Sequence, residues 1–110
     1  MSLHHAISGE VINIRPLDEK LRVAVSTALL KTTNLEVMRL VLIAGKWMPE
    51  HKVPGEVTIQ CLEGAIELEA HQKMQMLRAG QMVYLAGGEP HALRAVEDAS
   101  VLYTVLLKHS

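Results

Sequence analysis

The sequence predicts an all-β sandwich or barrel. Three observations carry that prediction. Apolar and polar residues alternate with a period of two along most of the chain. Sustained helical periodicity is scarce. Gly and Pro recur between short apolar runs at regular spacing.

The elements follow in chain order. Leu21, Val23 and Val25 alternate with Arg22, Ala24 and Ser26, which predicts a first strand. A helix over residues 18–30 is the alternative, disfavoured by its β-branched residues. Residues 35–43 are apolar in both phases, as in a strand covered on both faces, and Ala44-Gly45 ends them. Residues 57–62 are rich in β-formers and bounded by Pro54-Gly55 and Glu63-Gly64. They are expected to form a central strand, with a turn beginning at Gly64. Ile66 and Leu68 alternate with Glu67 and Glu69, a half-exposed strand. His71-Gln72-Lys73 reads as a polar hairpin loop, and residues 74–77 resume the sheet. Ala79-Gly80 turns, residues 81–85 follow, and Gly87-Gly88-Glu89-Pro90 turns again. Residues 91–96 and 101–107 complete the set.

A chain of 110 residues holds one ordinary domain. Residues 1–10 are expected to be a flexible N-terminal segment and residues 11–110 the single domain. His4 and His5 are adjacent in that polar start, where chains usually fray, so they are not read as a metal clip. Hydrophobic residues make up 49% and aromatics 3%, with no Phe, so the core must be aliphatic. Met38, Met48, Met74, Met76 and Met82 are expected to fill its gaps. The formal net charge is -1 and the basic residues are scattered, which argues against a nucleic-acid partner. No apolar run is long enough to span a membrane and no secretory leader pattern is present. With Cys61 as the single cysteine, no intrachain disulfide can form, and a cytoplasmic location is expected. There is no Gly-rich phosphate loop, no Gly-x-Ser-x-Gly elbow and no Cys-x-x-Cys pair.

Two stretches carry a resemblance. Gly45 is followed by five residues and His51, and Gly64 closes the stretch. Gly80 is followed by five residues and Ala86, then Gly88, two residues and His91. These frames resemble the two motifs of the cupin superfamily, G-x5-H-x-H-x3-4-E-x6-G and G-x5-P-x-G-x2-H-x3-N. The resemblance implies a small single-domain cupin, an RmlC-like jelly-roll β-barrel. The residues 9–17 and 77–107 also look like those of small, mostly uncharacterised bacterial cupins. A typical cupin centre has three histidines and one glutamate. Here Val53 stands at the second histidine, Val57 at the glutamate, Ala86 at the proline and Ala95 at the asparagine. His51 and His91 alone remain in frame.

Strand parity tests whether other residues could restore the site. His51, Val53, Val57, Ile59 and Cys61 share one parity, so an unbroken strand would turn them all inward. Cys61 would lie roughly 13 Å beyond Val57, too far to join His51, and reads as a buried small hydrophobe. Glu56 and Gln60 have the opposite parity. A bulge at Pro54-Gly55 would bring Glu56 inside, giving His51, Glu56 and His91 as a two-histidine, one-carboxylate metal set. Without the bulge, Glu56 is a solvated turn residue, the preferred reading. His71 and His109 read as surface residues, and Trp47 as packing, an interface residue or part of a cavity mouth.

Three functions follow, in order. The first is a module that binds or senses a small molecule in its barrel, with a divalent metal centre reduced or absent. The second is a metal-dependent enzyme, an oxygenase or isomerase, using His51 and His91 with Glu56 or water. The third is a structural or interaction protein with a filled barrel. Exposed sheet edges need cover, and small cupins often pair, so a homodimer is expected.

Overall fold

The structure, a computed structural model, describes residues 4–107; His109 lies outside the described residues. Two antiparallel sheets face each other. One has five strands in the order β1-β2-β9-β4-β7, and the other has four, β3-β8-β5-β6. The strands are β1 (Thr27–Lys31), β2 (Leu35–Leu42), β3 (Trp47–His51), β4 (Val57–Glu63), β5 (Ala65–Ala70), β6 (Lys73–Arg78), β7 (Met82–Leu85), β8 (His91–Ala95) and β9 (Ala99–Leu106). No helix among the described residues is long and apolar enough to cross a membrane.

The core lies between the sheets and is aliphatic, as the composition requires. Val57, Ile59 and Cys61 of β4 meet Ile66 and Leu68 of β5, Leu93 of β8 and Val101 of β9. The Cys61 thiol is fully buried and donates weakly to the Glu63 and Gly64 carbonyls. Burial pushes its pKa up, so it is an inert packing residue. The methionines divide, against expectation. Met38 and Met48 pack on the core, but Met74, Met76 and Met82 are exposed. Alternation in β6 and β7 turns these three outward, while Leu77 and Leu85 are the inward residues of the same strands.

Two further elements differ from the sequence reading. Residues Asp18–Val23 form a 3-10 helix, and the first strand starts only at Thr27. Leu21 is buried while Val23 and Val25 are exposed, so the apparent alternation marks a single anchor. The strand β3 has no clear sequence signal because Pro49 sits inside it. It is tolerated because β3 is an edge strand of its sheet, where a missing N–H disrupts least.

Three chain segments hold the frame around the site. His71 and Gln72 make a two-residue hairpin turn with both φ values positive, the twist that an antiparallel hairpin favours. Pro54-Gly55 is a corner where the chain leaves the four-stranded sheet for the five-stranded one. A Cβ on Gly55 would stand 1.7 Å from the Leu106 carbonyl oxygen, so only glycine lets β9 approach. Gly64 bends the chain back between β4 and β5, with φ +78.

The N-terminal strap is fixed by one carboxylate. Glu63 accepts from the backbone N–H groups of Leu17 (2.9 Å) and Asp18 (3.0 Å) and from the Ser100 hydroxyl. Partial burial works to raise its pKa, but the Leu17, Ser100 and Asp18 bonds and the nearby Arg39 charge outweigh it, and the net shift is downward. Earlier in the strap, Ala6 N–H donates to the Leu29 carbonyl (2.9 Å). Glu63→Ala is expected to destabilise the protein by about 1–3 kcal/mol, because it strands the buried Ser100 hydroxyl and the part-buried Leu17 N–H. Urea denaturation measures the loss, and faster amide exchange at Leu17 and Asp18 locates it.

Candidate functional site

The two histidines retained in frame lie side by side, their rings tilted by 52°. His51 ends β3, His91 begins β8, and the antiparallel register sets them directly opposite each other. Their ring centroids are 4.6 Å apart. Cross-strand pairing thus brings together residues that the chain separates widely. His91 is 1% exposed, whereas His51 is only half-buried.

Each ring is held from its Nδ1 side. His91 Nδ1–H donates to the Glu89 carbonyl (2.9 Å), and His51 Nδ1–H donates to the Pro49 carbonyl at 3.3 Å. The Glu89-Pro90 turn is therefore what orients His91. Carbonyls only accept, so the short Glu89 contact sets the tautomer of a neutral His91.

The third member of the site comes from the opposite sheet. Tyr103 of β9 faces inward, 5% exposed, and its hydroxyl donates to His91 Nε2 at 2.8 Å. The same oxygen is 3.3 Å from His51 Nε2. The sequence reading did not single out Tyr103. Its signal was an aromatic at the inward parity of an otherwise aliphatic strand, sharing the face of Val101 and Val105.

Beside this cluster lies an open groove of about 450 Å³ between β2 and β3. It is lined by Met38, Leu40, Met48, Pro49, Glu50, His51 and Tyr103. Its wall is mostly apolar side chain, with His51 and Tyr103 at one end. A larger groove of about 620 Å³ runs beside the hairpin turn, past Glu50, Glu69, His71 and Glu89. His71 is exposed there, with its backbone N–H and ring both against the Glu89 carboxylate.

Glu56 does not join the histidines. It is exposed at the start of β4, and its carboxylate accepts from the Tyr84 hydroxyl on the outer face of the five-stranded sheet. The chain at Pro54-Gly55 turns a corner between sheets, so it cannot act as a bulge within one strand. Val53 and Val57 point toward the core but cannot ligate. The inward donors here are two imidazoles and one phenol. Among the described residues no three His, Cys, Asp or Glu side chains gather as a metal site. That donor set falls short of the three protein ligands, histidine or carboxylate, that catalytic zinc sites usually supply. Trp47 lies on the outer face, with the Arg94 guanidinium 5.7 Å from its ring centroid, and so does not line the apolar groove. Arg94 also pairs with Glu67 on the next strand.

The site's electrostatics follow from burial. Burial lowers the His91 pKa from its ordinary value of 6.5. The Glu89 carbonyl opposes that shift and the neighbouring His51 reinforces it. Burial pushes the Tyr103 hydroxyl up to about 12. The signs give two windows. A depressed histidine favours folding above 6.5, and that contribution is lost as pH falls through the folded value. A raised tyrosine contribution is present below 10 and lost as pH rises toward 12. The thermal midpoint should therefore decline on acidification below pH 6.5, and His91→Gln should flatten that decline. An unchanged slope in the variant would mean that other groups carry the acid sensitivity.

The family profile for the cupin domain matches residues 38–107, from the groove wall in β2 to the end of β9. The chain belongs to the cupin family. Solved cupin-like structures share its fold closely. A conserved protein of unknown function from Streptococcus pyogenes is 24% identical with a TM-score of 0.76, covering 100% of this chain and 98% of that one. A cupin superfamily protein from Desulfitobacterium hafniense is 15% identical with a TM-score of 0.76, covering 89% and 95%. An RmlC-like cupin from Desulfovibrio desulfuricans is 25% identical with a TM-score of 0.69, covering 93% and 97%. No curated protein matches the chain in sequence. The all-β cupin fold read from the Gly45 and Gly80 frames is thus the fold observed.

Proposed function

We propose that this cupin is a binding or sensing module that takes a small, largely apolar molecule into its barrel. The observation that carries the reading is the open, largely apolar groove of about 450 Å³ that reaches His51 and Tyr103. Such a cleft, with few polar groups placed together at one end, is the usual form of a small-molecule site. The His51–Tyr103–His91 cluster supplies orientation and the apolar wall supplies affinity. Two imidazoles without a carboxylate favour binding over the oxygenase or isomerase reading, which needs a metal held by more protein ligands. A divalent metal, where it binds at His51 and His91, is held weakly.

The same proposal includes a homodimer in the cytoplasm. Met82, Tyr84 and Leu106 are exposed apolar side chains on one side of the five-stranded sheet, which a second copy would cover. The lone cysteine is free and buried, in keeping with a reducing compartment. Sedimentation equilibrium tests the dimer. The ligand reading is tested by a thermal-shift screen of small organic molecules. Stabilisation by apolar compounds with one polar end is expected, and a screen in which only ionic, fully polar compounds stabilise would count against it.

A further inference from the structure

Arg39 is buried with almost none of its donors used. It lies in mid-strand of β2, where Met38 and Leu40 pack inward on the core, so alternation turns Arg39 to the outer face of the five-stranded sheet. The N-terminal strap crosses that face and leaves the side chain 6% exposed. Its single hydrogen bond runs from Nη2 to the Asn13 carbonyl and is long, 3.4 Å. Nε is sealed and has no partner. Nη1 makes no hydrogen bond either, but it is not sealed. Among the described residues Arg39 forms no ion pair. Glu63 feels its charge, yet that carboxylate is already taken up by Leu17, Asp18 and Ser100. A guanidinium has donors only, and taking it out of water unpaired is costly, so its position calls for an acceptor.

An acceptor can reach it from one side. A groove of about 400 Å³ opens between the strap and β2, lined by Asn13, Arg15, Asp18, Glu19, Lys20 and Arg39. Buried Arg39 forms its floor, and the exposed Arg15 and Lys20 stand at its rim. We propose that this groove binds a small carboxylate anion, received by the Nη edge of Arg39 and drawn in by Arg15 and Lys20. The lining sets the class of ligand. Its three cations, Arg15, Lys20 and Arg39, face two carboxylates, Asp18 and Glu19, so a monoanion neutralises the groove and a phosphate dianion overshoots it. A planar carboxylate also matches the planar edge of a guanidinium. The site is separate from the His51–Tyr103 groove. Met38 pairs with Tyr103 on the inner face of the sheet, while Arg39 pairs with Leu102 on the outer face. The carboxylate reading therefore stands or falls without the apolar one.

The test titrates propionate and its neutral isostere propionamide at neutral pH and constant ionic strength. Binding is read from the Arg39 Nε–H resonance and from the backbone amides of Arg15 and Lys20. Propionate is expected to bind at least about tenfold more tightly, because charge-assisted hydrogen bonds are roughly twice as strong as neutral ones. The Met38 and Met48 methyl groups, in the other groove, should stay unmoved. Arg39→Met replaces a buried unpaired charge with an apolar chain, so it should keep the fold and lose the preference for propionate. Should that variant not fold, the exposed Lys20→Ala decides: propionate affinity is expected to fall about two- to fivefold and propionamide affinity to stay the same. Equal binding of the two probes, or no shift at these resonances from either, would overturn the site and leave Arg39 a structural cation. An undiminished preference in Arg39→Met, or in Lys20→Ala where it stands in, counts against it equally. Tighter binding of inorganic phosphate than of propionate would refute the carboxylate assignment.

Discussion

Gly64→Ala is expected to destabilise the protein by roughly 2–5 kcal/mol, a large share of a typical domain's stability. Two costs combine at this corner. Gly64 has φ +78, a conformation that an L-residue adopts at a cost of about 1–2 kcal/mol. A Cβ there would also lie 2.0 Å from the Asp98 carbonyl oxygen and 2.9 Å from the Ala99 Cα. Both are backbone atoms at the start of β9, so neither can swing aside. Relief requires moving β9, and β9 carries Tyr103. Gly80→Ala separates the two costs. Gly80 has φ +90, yet nothing lies within 4 Å of its added Cβ. It should lose only the conformational share, about 1–2 kcal/mol. Urea unfolding of both variants makes the comparison, and equal losses would show that the clash at Asp98 is readily relaxed.

The second large effect concerns metal. The wild type is expected to retain little divalent metal after purification without a histidine tag, and Val53→His is expected to retain clearly more. Val53 lies two residues beyond His51 and packs inward against the core, so a histidine there adds a third inward imidazole. Even the outer partners of metal ligands change affinity about 10- to 100-fold, and a new direct ligand should exceed about a hundredfold. Metal analysis and competition with a chelator give the numbers. Full metal occupancy in the wild type, lost on Glu56→Ala, would promote the enzyme reading over the binding module. The position of Glu56 against Tyr84 argues for the opposite result.

The parts of this fold that were legible in the sequence are those decided locally. Residues 57–62 read as a strand because β-formers are bracketed by Pro54-Gly55 and Glu63-Gly64, and β4 occupies Val57–Glu63. The pairing of His51 with His91 was legible through the spacing of the Gly45 and Gly80 frames, and the register places them opposite. The parts that were not legible depend on what a residue packs against. β3 was hidden by Pro49, which only an edge position excuses. The strand expected at Leu21 is a 3-10 helix because the Leu17 and Asp18 N–H groups are taken by the distant Glu63. Tyr103 was not singled out, because its inward neighbours Val101 and Val105 are plain core residues. It became part of the site only because β9 faces the histidines across the sandwich. Glu56 was preferred as a solvated turn residue and is exposed, although the chain changes sheets at Gly55 instead of running on as the one strand assumed for that parity.

The central claim is that a small apolar molecule binds at the His51–Tyr103 end of the barrel. Methyl and imidazole NMR of the wild type and of Leu40→Trp, each titrated with compounds that stabilise the wild type, tests it most directly. Leu40 lines the apolar groove, and an indole in its place fills much of it. The account predicts that binding shifts the Met38 and Met48 methyl groups and the His51 ring in the wild type, and that Leu40→Trp folds but no longer binds. Undiminished binding in Leu40→Trp, or shifts confined to His71 and the groove beside Glu89, would contradict it.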